Sequence, residues 1–243
     1  MADTRTHRSA GPADRELFSA ARVPVLAEAT AHLSWLRQNG YAERSALALV
    51  GDRFRLRQRQ RNAVRSAAAS DSEVRLREAR RIALERMAGE SLAIDAFNVL
   101  TTVEVALGGG AVLLARDGCA RDLASQRGTW RRVEETLPAL EALGRALEGV
   151  GVTETTWYVD APVSNSGRLA ASIERLARER GWAFEARTVA DVDERLAGEA
   201  AVVASADRRV LDRCGRWVSL AREVVTRLEG AWIVDLQGER NVS

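Results

Sequence analysis

The chain has 243 residues, with 36 basic and 34 acidic side chains for a net charge of +2, and all of the bases are arginine. Without lysine there is no Walker phosphate loop, no Schiff-base chemistry and no receiver-domain lysine. With only His7 and His32, histidine-rich zinc sites and most Ser-His-Asp or Cys-His catalysis are also disfavoured. Reactive groups are thereby narrowed to carboxylates, hydroxyls and arginines.

The length fits one large domain, or a medium domain with a small one. The apolar share of 46% and charged share of 29% are those of an ordinary globular protein. The first dozen residues read as disordered; they are charged and lack an apolar leader core. Helical spacing starts near Asp14. Leu17, Ala20, Val25, Leu26, Ala29, Leu33 and Leu36 recur at three- and four-residue steps, and Asn39-Gly40 ends the run. A short helix follows over Ala46 to Val50, with Gly51-Asp52 as a break. Further helices are predicted from Arg57 to Ala69 and from an Asp71 N-cap to Ala88. No β signal precedes residue 90, so 1–13 read as a disordered terminus and 14–89 as a small all-α domain.

The pattern changes at Ser91. SLAID, TWYVD (Thr156 to Asp160), WAFEARTV (Trp182 to Val189) and AAVVASAD (Ala200 to Asp207) are short apolar runs, with WVSL and AWIVDL nearer the end. Helical runs lie between them: Val133 to Leu147, Arg168 to Arg180, Arg208 to Arg213 and Arg222 to Leu228. The alternation predicts an α/β domain over 90–238 with a parallel sheet flanked by helices, and a tail at 239–243. GGGAVLLARDG reads as a strand or hairpin entry, and RDLASQRGTWRR as a loop. Cys119 and Cys214 form no CxxC and read as reduced thiols. The longest apolar stretch, Val103 to Ala115, is too short for a membrane span. Cytoplasm is the expected compartment, and a homodimer is compatible with the sequence.

Functional groups of open α/β sheets gather beyond the carboxyl ends of the strands. Here those ends carry aspartate: Asp95, Asp160, Asp191 with Asp193, and Asp207 with Asp212 nearby. Convergent carboxylates raise one another's pKa, and a hard divalent cation relieves that cost. All-oxygen ligation selects Mg²⁺ or Mn²⁺, which activates water for in-line attack on a phosphodiester. Each aspartate also has a plainer reading. Asp207 can be the N-cap of the next helix, one of Asp191 and Asp193 a solvated turn residue, and Asp212 a surface helix position. Asp95 lies between apolar residues, where a carboxylate needs a partner.

The segments IDAFNVL, WYVDAPVSNSG, DVDERLAGEAAVVASAD and VVASADRRVLD, in that order, resemble the ribonuclease domains of the PIN and NYN type. The resemblance covers roughly residues 90 to 237. It implies a PIN-like sheet, with Asp95, Asp160, Asp193 and Asp207 as metal ligands and Asn98 as the asparagine that orients substrate or the first acid. The catalytic set it implies is Asp95, Asn98, Asp160 and Asp207. Such domains often place a glutamate on the helix after the first strand, a position Glu134 or Glu135 could fill. NYN domains often carry a second acid two residues after the aspartate of S-x-D; Arg209 stands there. The stretch GYAERSALALVGDRFRLRQRQRNAV resembles the short helical domain of an uncharacterised family that joins it to a PIN-like domain.

Two segments read as contacts for a nucleic acid. GDRFRLRQRQRNAVR gathers Arg53, Arg55, Arg57, Arg59, Arg61 and Arg65, a set that can meet several phosphates or form a solvated face in a lysine-free protein. In PVSNSGR, Ser164, Asn165 and Ser166 precede a helix whose N-terminus can hold a phosphate, or simply cap it. Arg121, Arg127, Arg131 and Arg132 can flank a substrate, and Trp130 can stack on a base or be buried. The expected function is a metal-dependent ribonuclease acting on single-stranded or structured RNA. The alternative is a non-catalytic RNA-binding or assembly protein that keeps the fold. An aspartyl-phosphate phosphohydrolase ranks last, because IDAFNV lacks the second acid of that motif.

Overall fold

A computed structural model describes residues 7–124 and 130–238. Five helices come first: α1 (Asp14–Leu17), α2 (Val23–Gln38), α3 (Glu43–Arg53), α4 (Gln58–Ala67) and α5 (Asp71–Arg80). The single first helix suggested by the spacing is in fact two. Pro24, in the first turn of α2, has no N–H, and its ring would clash with the carbonyl four residues back. Gly51 is not a break but a buried interior residue of α3. The missing Cβ leaves room for the Arg61 side chain, whose guanidinium carbon lies 2.4 Å from where that atom would be. The cap of α5 is Ser70, in a capping box with Glu73, rather than Asp71. This helix stops at Arg80, short of Ala88, because the chain turns to sheet pairing: the Ile82 amide donates to the Trp217 carbonyl at 2.8 Å.

The rest alternates: β1 (Ser91–Asp95), α6 (Ala96–Leu107), β2 (Ala111–Leu114), β3 (Ala120–Asp122), α7 (Thr136–Val150), β4 (Glu154–Asp160), α8 (Ser166–Arg180), β5 (Phe184–Val189), α9 (Val192–Ala197), β6 (Val202–Ala204), α10 (Arg208–Arg213), β7 (Trp217–Val218), α11 (Leu220–Val225) and β8 (Trp232–Asp235). The predicted parallel sheet is present, five strands in the order β5-β4-β1-β6-β7 with every pairing parallel. Strand alternation divides its faces. Leu92, Ile94, Trp157, Val159, Val202 and Ala204 face the core of α6, α7, α8 and α11. Ala93, Tyr158 and Val203 face Val192, Leu196, Val210 and Leu211 of α9 and α10.

AWIVDL and GGGAVLLARDG do form strands, but in a second sheet of order β3-β2-β8, where β2 pairs β8 in parallel and β3 antiparallel. The start of the predicted RDLASQRGTWRR loop is strand β3. Ala111, Leu113, Val234 and Leu236 from this sheet share one core with Leu26, Leu33, Val50 and Val64 of the N-terminal helices. The helical region therefore covers the small sheet. Among the described residues no helix is long and apolar enough to cross a membrane.

Candidate active site at the carboxyl edge of the parallel sheet

Strand register places the acids. Asp95 ends β1 opposite Tyr158 of β4, so Asp160 lies two residues further along the neighbouring strand. With the spacings of a sheet the two Cα atoms are about 8 Å apart. On the other side Ile94 pairs with Ala204, which brings Ser205 level with Asp95. Asp95 and Asp160 share the parity of Ala93 and Tyr158, on the face covered by α9 and α10.

Asp95 is 6% exposed. Its Oδ1 accepts the Asn98 amide at 3.2 Å as the N-cap of α6, and its Oδ2 accepts the Ser205 hydroxyl at 2.9 Å. Burial nevertheless pushes its pKa up to about 7, and Asp160 and Asp207 on either side add to the push. Asp160 is half-buried and raised, chiefly by burial and then by Asp191. Asp193 is raised in the same way, by burial, then Asp207, with Asp191 and Asp160 contributing. Asp95 and Asp193 are thus each raised by acids that other elements bring to this edge. Among the described residues, however, no three His, Cys, Asp or Glu side chains are grouped closely enough to hold a metal ion. Asp95 is committed to Ser205 and α6, and Asp207 caps α10 by accepting the Arg209 amide at 2.7 Å.

Both readings of Asp207 therefore hold together: it caps a helix while standing at the acidic edge. Of the other pair, Asp191 is the cap, accepting the Glu194 amide at 3.0 Å, and Asp193 is the member facing the cluster. Asp212 is not a free surface group; it pairs with the buried Arg77, 2.6 Å away. Arg209 has its Nη1 3.8 Å from Asp193 Oδ2 and 84% of its side chain exposed.

Asn98 has a fixed orientation. The Ala206 N–H donates to its Oδ1 at 2.8 Å, so the Nδ2 donors are turned the other way. Ser205, not singled out in the sequence beyond its place in the motif, is the hub of the edge. It donates to Asp95 and accepts the Asp207 amide at 3.0 Å. The S-x-D spacing was the signal that could have identified it.

Several expected substrate contacts have other work. Arg121 is buried in β3; it chelates Asp117 and donates from Nε to the Ala206 carbonyl at 2.9 Å. Ser166 is buried, and its hydroxyl donates to the Asp160 and Val163 carbonyls, tying down the turn beneath Asp160. Ser164 and Asn165 are exposed; Asn165 donates to the Trp130 carbonyl at 3.0 Å and Ser164 accepts the Trp130 amide at 3.1 Å. Trp130 is 1% exposed, so the buried fate holds. Arg131 is half-buried and Arg132 exposed beside it, while Arg127 lies outside the described residues.

The arginine stretch is not one cationic face. Arg61 is folded back onto the Leu56 carbonyl at 3.0 Å and Asp52 at 2.7 Å. Arg59 grips the buried Asp14. Arg57 stays exposed, 3.3 Å from Glu16, and Arg53, Arg55 and Arg65 are exposed. Glu135 turns to the N-terminal segment, accepting His7 Nδ1 at 2.8 Å and the Arg8 amide at 3.3 Å. Glu134 lies 3.4 Å from His7 Nε2.

The class is thus an α/β protein with an acidic edge on its parallel sheet and a helical region packed behind. Residues 84–223 match the family described as domain of unknown function (DUF5616), and the chain belongs to that family. Residues 25–88 match a second, protein of unknown function (DUF434). An uncharacterised protein of Methanocaldococcus jannaschii is 30% identical over 150 residues, 62% of this chain and 70% of the relative. No solved structure matches the chain.

Proposed function

We propose that this protein is a metal-dependent ribonuclease with a PIN-like α/β domain. The observation that carries the reading is the convergence of Asp95, Asp160, Asp193 and Asp207 on the carboxyl edge of one parallel sheet, where Asp160 and Asp207 push the Asp95 carboxyl up and Asp207 and Asp160 do the same to Asp193. Carboxylates raised by burial and by neighbouring acids, at the carboxyl ends of parallel strands where α/β sheets bind ligands, mark a candidate functional site. The donor chemistry fits Mg²⁺ or Mn²⁺, because every candidate ligand is a hard oxygen.

Asp95, Asp160 and Asp207 would hold the ion, with Asp193 beside them. When bound, the ion supplies Lewis acidity for phosphodiester hydrolysis. The chain's own groups do the positioning. Ser205 fixes the Asp95 carboxylate, and Asn98 offers its Nδ2 donors to a phosphate oxygen. The exposed Arg209 guanidinium is placed to meet a phosphate beyond Asp193, and Arg53, Arg55, Arg57 and Arg65 give the helical region exposed cations for an RNA strand.

The test is cleavage of labelled single-stranded RNA with Mn²⁺, Mg²⁺ or EDTA, beside the Asp95→Asn variant. Cutting that needs metal and vanishes in a folded Asp95→Asn protein supports the reading. A second reading, an RNA-binding protein without catalysis, is favoured by Arg209 in an acid's place. It expects both proteins to bind RNA equally at low salt and neither to cut.

A further inference from the structure

Two buried arginines are left over from the acidic edge, and an unpaired buried charge is costly. Arg77, on α5, is 0% exposed, and Arg121, in β3, is 9% exposed. Between them stands Asp117, in the turn joining β2 to β3. Arg77 Nη1 and Arg121 Nη2 each donate to its Oδ2 at 2.6 Å, and Arg121 Nη1 donates to its Oδ1 at 2.8 Å. Burial would raise the Asp117 carboxyl, but the two guanidiniums hold it far below the usual range. The second positive charge is matched by Asp212 on α10. Its Oδ1 accepts Arg77 Nε at 2.8 Å; Nη2, 2.6 Å away, is ion-paired without the angle of a hydrogen bond.

The network ends on the acidic edge. Arg121 Nε holds the Ala206 carbonyl at 2.9 Å, while Asn98 holds the Ala206 amide at 2.8 Å. The peptide groups on both sides of Ala206 are therefore clamped by side chains, with Ser205 before and Asp207 after. The six-residue α10 is too short to set its own position. It is pinned at its start through Ala206 and near its end through Asp212, and both pins meet at Asp117.

We propose that Arg121, backed by Asp117 and by Arg77 from the N-terminal helical region, is a positioning residue that sets Ser205 and Asp207 against Asp95. The helical region is then a structural part of the site rather than an appended module. The consequence for catalysis rests on the ribonuclease reading; the positioning itself does not.

The test compares Arg121→Lys with Gly144→Ala in the full chain. Lysine keeps the buried charge, but a single ammonium cannot chelate Asp117 and also reach Ala206. Gly144→Ala lowers stability elsewhere, by pressing on Trp182. Two readouts are taken, amide hydrogen exchange by NMR and Mn²⁺ affinity by EPR. In Arg121→Lys the amides of Ala206, Asp207 and Arg209 exchange at least about tenfold faster, while those of Ile94 and Val203 keep their protection. Mn²⁺ binding weakens about 10- to 100-fold, as with other outer-shell supports. Gly144→Ala shows neither change. Wild-type protection of those three amides in Arg121→Lys overturns the proposal. If the wild-type protein binds no Mn²⁺, the metal reading falls, and the exchange arm alone decides the positioning. If Arg121→Lys does not fold, Asp212→Asn at its half-exposed site replaces it, with the same amides deciding.

Discussion

Burial pushes the Asp95 carboxyl up to about 7 against hydrogen bonds from Ser205 and the Asn98 amide that favour its ionised form. This sets the sign of its contribution to stability. The unfolded chain loses this proton near 3.8 and the folded protein near 7, so the unfolded state binds fewer protons in between. Stability from this group is fully present below the lower value and is lost as pH rises to the upper one. In EDTA, Asp95→Asn is expected to melt roughly 5 °C above wild type at pH 8, with the gap closing at pH 3.5. On the proposed ribonuclease reading the same variant is expected to lose RNA cleavage, so a calorimeter and a gel would give opposite answers for one substitution. If it melts below wild type at pH 8, the buried carboxyl is not carrying a cost. Asn98→Ala leaves the Ala206 N–H without its partner and should cost about 1–3 kcal/mol, measured by urea unfolding.

At the scale of elements, helix α7 carries Gly144 on its buried face, where a helix former would be expected. The reason is the Trp182 ring, one atom of which lies 2.1 Å from where a Cβ would be. Gly144→Ala gains helix propensity but overpacks against a rigid ring. The expected net loss is about 1–2 kcal/mol, read from the urea midpoint at unchanged slope. The turn joining β2 to β3 behaves in the opposite sense to Asp95. Asp117 is held ionised by its arginines, so its contribution is present above the ordinary carboxylate pKa and is lost as pH falls below about 4. Asp117→Asn leaves two buried guanidiniums short of charge and should destabilise by about 3–5 kcal/mol at neutral pH.

At the scale of the whole molecule, the two family matches meet near residue 84 to 88, but the packing does not divide there. The N-terminal helices share a core with β2 and β8. Arg116 bonds the Ala69 carbonyl at 2.8 Å and Asp71 at 3.0 Å, and Arg77 reaches Asp117 and Asp212. A fragment of residues 84–238 would expose Ala111, Leu113 and Val234 and leave Asp117 with one guanidinium. It is expected to lack a cooperative thermal transition. A cooperative melt near that of the full chain would show that the helical region is dispensable.

The sequence by itself determined the alternation of strand and helix after Ser91, because fully buried parallel strands read as short apolar runs. It also determined that aspartates end those strands, since an acid closing an apolar run is visible without coordinates. Topology was needed to seat β1 between β4 and β6, which is what gives Asp95 its flanking acids, and to put β2 and β8 in a separate sheet. Tertiary structure alone decided the fate of the arginines. Arg55, Arg57, Arg59 and Arg61 look alike in a row, yet the first two are exposed while Arg59 and Arg61 turn inward to Asp14 and Leu56. Arg121 resembled a loop cation and is a buried clamp, because its partner Asp117 and its target Ala206 come together only when β3 packs beside the β6–α10 turn. Local pattern reports burial along one element; which charges meet across elements depends on long-range contacts that no local pattern carries.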